Sequence, residues 1–137
     1  MKKILIGFVA VFVTLEVLDG IIHGGILMST YASMQHTWRA DMMNKLWILH
    51  FVRLATAFFF TYVFSKGYEG KGIMEGIRYG FYIGMIVSSG FAFGTYSMFD
   101  IGRGLALQWF FYSLIEYIIA GVVVSLVFGQ KTAAPKA

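Results

Sequence analysis

The chain has 137 residues, 58% hydrophobic, 18% aromatic and only 13% charged, with mean hydropathy +0.73, one proline and no cysteine. A soluble domain carries about 25% charged residues, so the composition excludes a soluble enzyme; the missing cysteines exclude a disulfide scaffold and a Cys-ligated zinc or iron–sulfur centre. The formal charge of +4 implies no nucleic-acid partner, because basic residues in so apolar a chain first report membrane topology.

A helix needs roughly 20 mainly apolar residues to cross a hydrocarbon core of about 30 Å. Four segments meet that length: residues 4–28, 46–64, 73–99 and 105–128. The first follows two lysines, like a signal peptide, but Glu16 and Asp19 stand where a small-residue cleavage site would be, so it reads as an uncleaved span. Residues 29–45 are too polar to cross and read as the first loop, with Asp41 placed to cap the second helix. The second loop, SKGYEGKG, is short and rich in glycine; the third is a tight turn at Asp100–Arg103. Residues 130–137 read as a flexible cytoplasmic tail after a single domain of residues 1–129.

The expected fold is therefore all-α: a four-transmembrane-helix antiparallel bundle running up-down-up-down. Lys2, Lys3, Lys66, Lys71, Arg78, Lys131 and Lys136 fall on one side, against Arg39, Lys45 and Arg103 on the other. That bias puts both termini in the cytoplasm and Trp38, Trp47 and Trp109 near the outer boundary.

The informative residues are the ionisable ones inside the spans: Glu16, Asp19 and His23 in the first, His50 and Arg53 in the second, Glu116 in the fourth. Left unpaired, the three acids and the arginine would cost roughly 10–14 kcal/mol on insertion scales, so they must meet one another, water or a ligand. At 100° per residue Glu16, Asp19 and His23 share one stripe of the first helix. Gln108, Tyr112 and Glu116 share one face of the fourth. One intramembrane cluster of these eight residues is expected, opening toward the outer face. Three carboxyls against one guanidinium leave two negative charges in excess with both imidazoles neutral, so a proton or a cation is required as well.

In the third span Gly76, Gly80, Gly84 and Ser88 recur every four residues, a GxxxG surface that lets another helix approach closely. It serves packing within the bundle, self-association, or docking to another membrane subunit. His23, His50, Glu16 and Asp19 are the candidate metal ligands, and His23 with His50 could also hold a haem, with Arg39 or Lys45 meeting its propionates. Met28, Met34, Met42, Met43 and Met98, with His36 and His50, offer soft ligands for copper(I). No nucleophile constellation, phosphate-cradling loop or HExxH motif occurs.

Over residues 73–128 the glycine-rich third span runs into Gly90–Phe91, and the last helix opens as Leu107–Gln108–Trp109–Phe110–Phe111–Tyr112 and closes on Ala120–Gly121. In these features the chain resembles a group of uncharacterised small bacterial four-helix membrane proteins. The resemblance implies four spans in a bacterial inner (cytoplasmic) membrane and carries no activity or site residue. Three functions compete: a carrier that handles protons or cations through the cluster, a haem- or metal-bearing redox subunit, and a non-catalytic accessory subunit of a larger membrane complex.

Overall fold

A computed structural model describes residues 1–129. The expected tail, with Lys131 and Lys136, lies outside the described residues. The described chain is all-α: α1 (Lys2–Ile21) continues through a π-helical turn (Ile22–Ile26) into the short α2 (Met28–Ser33), followed by α3 (Leu46–Gly67), α4 (Ile73–Met98) and α5 (Arg103–Gly129). Three helical stretches, Lys2–Ile26, Met42–Gly67 and Arg103–Gly129, are long and apolar enough to cross a membrane. Helix α4 has the length, 26 residues, but glycine, serine and tyrosine dilute its apolarity.

The surface agrees with a membrane protein. On α1 a stripe of Leu5, Val9, Val13, Val17 and Ile21 is exposed. So are Phe51, Phe59, Ile86 and Phe111 on the other long helices. A soluble monomer rarely leaves so much contiguous apolar surface open to water.

Helix α1 packs against α3 and α5, and α4 packs mainly on α5, with Tyr79 of α4 donating to the Phe60 carbonyl of α3 at 2.6 Å. Lys3 Nζ donates to the Phe128 carbonyl at 2.7 Å, while Trp109 reaches Tyr31 at the other end, so α1 and α5 are antiparallel. Gly7 against Thr61 and Glu16 against Arg53 set the same opposed sense for α1 and α3.

The glycine row of α4 is used within the chain. Gly76, Gly80, Gly84 and Ser88 are all buried, and a Cβ on Gly76 or Gly80 would overlap the backbone carbonyl of Gly121 or Tyr117 on α5. No side chain can be admitted there without parting the two backbones. Association with a second chain through α4 would have to use another of its faces.

Two apolar cores fill the interior. One joins Val11, Leu15, Phe60, Phe64, Ala120, Val124 and Phe128; the other joins Ile22, Leu27, Ala92, Leu105 and Trp109. On α1 Glu16 and Asp19 follow Val11 and Leu15 of the first core and precede Ile22 and Leu27 of the second. On α3 His50 and Arg53 precede Ala57, Phe60 and Phe64 of the first, so the ionisable residues form a polar layer between the two.

Residues 29–45 are more ordered than a loop. They hold α2 and two 3₁₀ turns, Gln35–Thr37 and Met42–Lys45. Asp41 does not cap α3, whose first turn has no side-chain cap. It pairs instead with Arg39 at 2.9 Å and Lys45 at 3.4 Å, and the Arg39 guanidinium holds its carboxyl below the usual range. Between α3 and α4, Glu75 accepts hydrogen bonds from the backbone N–H groups of Glu69 and Lys71 at 2.6 and 2.8 Å. Gly70 and Gly72 take the left-handed backbone this turn requires, at φ +78° and +77°.

The α4–α5 contact makes a paired prediction. Gly80→Ala forces two backbones apart and lowers stability by about 1–3 kcal/mol, the usual cost of overpacking. Gly90→Ala meets open space and is neutral or stabilising by up to about 1 kcal/mol through helix propensity. Reversible unfolding in detergent micelles measures both.

Candidate functional site

The polar layer is centred on Arg53. One turn apart on α1, Glu16 and Asp19 present carboxylates to α3, and the guanidinium takes both: Nη1 to Glu16 Oε2 at 2.9 Å, Nη2 to Asp19 Oδ2 at 2.5 Å. The planar fork of arginine fits two acceptors at once, which a lysine does not. On the outer flank of Glu16, His50 Nδ1 stands 3.0 Å from both carboxylate oxygens. His50 is the open end of the layer, with 61% of its side chain exposed, against 13% for Arg53.

On the other flank Asp19 Oδ1 faces His23 Nε2 at 3.7 Å. His23 is the second residue of the π-helical turn. Gly24 and Gly25 weaken the ordinary helix there, and Leu27 N–H bonds to the Ile22 carbonyl five residues back at 2.8 Å. Such single wide turns occur mostly at functional sites. The turn carries the chain into α2 with Tyr31 beside the imidazole: the rings lie nearly parallel, 8° apart, and the phenol oxygen meets His23 Nδ1 in a short hydrogen bond. Trp109 Nε1 donates to the same oxygen at 2.7 Å, and Trp38 Nε1 holds the Tyr31 carbonyl at 3.2 Å.

A continuous polar line thus runs His50–Glu16–Arg53–Asp19–His23–Tyr31. Burial pushes the Tyr31 hydroxyl up to about 12, so the phenol keeps its proton at neutral pH. An indole N–H only donates, so the Tyr31 oxygen accepts from Trp109 and its single proton points to His23 Nδ1. A neutral His23 therefore carries its own proton on Nε2, facing Asp19.

Glu116 stands apart. Its side chain is buried, 7% exposed, its Oε1 has no hydrogen-bond partner, and it lies within electrostatic reach of Asp19 and Arg53. Of the three acids it is the one for which no cationic contact is seen.

Five of the eight expected residues, Glu16, Asp19, His23, His50 and Arg53, meet directly, and Glu116 borders them. Gln108 is exposed on α5, and Tyr112 packs half-buried against the second core; neither joins the line. The sequence reading missed Tyr31 and the indole of Trp109. The signal for Tyr31 was an aromatic hydroxyl two turns past His23 in a stretch taken for a loop.

Among the described residues no group of three or more His, Cys, Asp or Glu side chains is arranged to hold a metal ion. Both nitrogens of His23 are directed at protein partners, Tyr31 and Asp19, and His50 joins the line at its other end, beyond Arg53. The pair does not frame a haem between them. The 440 Å³ groove between α3 and α4, lined by Phe51, Phe59, Phe60, Tyr79 and Tyr117 among others, is apolar and contains none of the ionisable line.

The chain matches no protein-family model, no curated protein and no solved structure. Its chemistry is read from these side chains.

Removing the centre of the layer tests its energetics. Arg53→Met removes the cation that two carboxylates share and lowers stability by about 3 kcal/mol, as loss of one partner of a buried pair does. Adding Glu16→Gln and Asp19→Asn to Arg53→Met returns part of that loss, read by the same unfolding measurement as a non-additive cycle.

Proposed function

We propose that the chain is a four-span protein of a bacterial inner membrane, N-in and C-in, that carries protons or a cation through its polar layer. The bias of lysine and arginine toward one end supports the orientation; the antiparallel contacts of α1 with α3 and α5 are compatible with up-down-up-down crossing. Helix α4 crosses in this reading with its less apolar glycine face turned to α5, so lipid meets its Ile, Phe, Met and Val side chains together with Tyr82 and Tyr96.

One observation carries the proposal: ionisable groups from separate helices are joined in a line, and a buried carboxyl without a cationic contact, Glu116, lies beside it. Intramembrane ionisable residues of this kind mark ion or proton paths. Arg53 holds Glu16 and Asp19 as carboxylates in this scheme. The group that loads and unloads charge is then Glu116, in exchange with Asp19, rather than a Glu16/Glu116 pair. The imidazoles sit at the two ends of the acidic pair, where a ring with two nitrogens can take a proton at one and give it up at the other. The redox-subunit reading draws no support from the engaged His23 ring. The accessory-subunit reading is favoured by the completeness of the Arg53 pairs, which lock α1 to α3 whatever else they do.

Reconstitution into liposomes with an internal pH dye decides between carrier and accessory. Under an imposed pH gradient the wild type dissipates it, and Glu116→Gln slows this by about 10-fold or more, in the range of a lost acid–base group. A Glu116→Gln rate equal to wild type contradicts the assignment.

A further inference from the structure

The donors between Trp109 and Asp19 have a polarity. Trp109 fixes the Tyr31 oxygen as acceptor of its N–H at 2.7 Å, which leaves the phenol proton for His23 Nδ1 and the Nε2 proton of the imidazole for Asp19 Oδ1 at 3.7 Å. Every donor between α2 and Arg53 points toward Asp19. The rigid ring of Tyr31 is held on three sides, by the nearly coplanar imidazole, by Trp38 edge-on at 5.3 Å and by Trp109, so this direction is built into the packing. Trp38 and Trp109 both donate to Tyr31, one to its carbonyl and one to its hydroxyl.

We infer that Tyr31 is a relay residue, the entry donor of a proton step from the loop side of the protein into the polar layer. The inference rests on the carrier reading and narrows its substrate to the proton. A hydronium ion on the loop side gives a proton to the Tyr31 oxygen and leaves as water, as the phenol proton passes to His23 Nδ1 and the Nε2 proton passes to an Asp19 carboxylate oxygen. One proton moves from hydronium to Asp19, only O–H and N–H bonds exchange, and the imidazole is left protonated on Nδ1 instead of Nε2. Before a second passage the ring must turn over or the proton must return. The Asp19–His23 separation, 3.7 Å, is longer than a hydrogen bond, so that gap closes during passage and breaks the wire at rest.

Two measurements test this. In liposomes under a pH gradient, Tyr31→Phe, which keeps the ring and removes the relayed proton, slows dissipation by about 10-fold or more. Tyr112→Phe, which removes a phenol hydroxyl packed against the second core but outside the line, stays within about 2-fold of wild type by the same reasoning. Equal rates for Tyr31→Phe and wild type overturn the relay while the carrier reading stands. Equal losses in both variants overturn it in favour of a packing role. A wild type without flux removes the carrier reading and the relay together. Nitrogen-15 NMR of labelled histidine in the wild type supplies a readout apart from flux. Neutral His23 is expected as the Nε2–H form; the Nδ1–H form overturns the proposed polarity.

Discussion

The guanidinium of Arg53, forked between Glu16 and Asp19, is the interaction on which the arrangement depends. Two carboxylates one turn apart on an otherwise apolar helix cannot be left facing hydrocarbon, where each costs about 2.5–3.5 kcal/mol. Arg53 satisfies both at once, and in doing so fixes the rotation and the height of α3 against α1. With that register set, His50 falls beside Glu16 and the apolar faces of Val11, Leu15, Phe60 and Phe64 close below it. The pairing is structural and chemical together. It keeps two acids occupied and leaves Glu116 as the buried acid to which no cation is paired.

The rest of the fold holds that layer in place by unlike means. On one side backbone meets backbone, as α4 settles onto α5 through glycines that admit no side chain. At the α2 end the contact is aromatic and polar, with Tyr31, Trp38 and Trp109 tying the π-helical turn to α5. A glycine contact is rigid because any added atom overlaps a carbonyl. The aromatic contact is held by a few directional hydrogen bonds, and the wide turn beneath it is the less regular piece of helix. Movement that shortens the Asp19–His23 gap is easiest there.

Much of this was legible in the amino-acid sequence because helical periodicity is simple. Glu16, Asp19 and His23 recur on one face, Arg53 and His50 are three apart on another, and unpaired charge in an apolar span demands a partner. The four-residue glycine spacing likewise announced a close helix contact. Three features were not legible, for physical reasons. Tyr31 reaches His23 only because the π-helical turn changes the rotation between them, and two glycines alone do not specify such a turn. Asp41 looked like a helix cap, but Arg39 and Lys45 compete for its carboxylate and win. Gln108 stands eight residues before Glu116, and at 100° per residue that spacing turns it about 80° away, to an exposed position on α5.

The central claim is that charge from α1 and α3 meets in one enclosed layer in the folded protein. Solid-state NMR in lipid bilayers, correlating the Arg53 guanidinium nitrogens with the carboxyl carbons of Glu16 and Asp19, measures it directly. The account predicts cross-peaks from Arg53 to both carboxyls, as separations of 2.9 and 2.5 Å to their oxygens require. A spectrum in which Arg53 correlates with neither would contradict it.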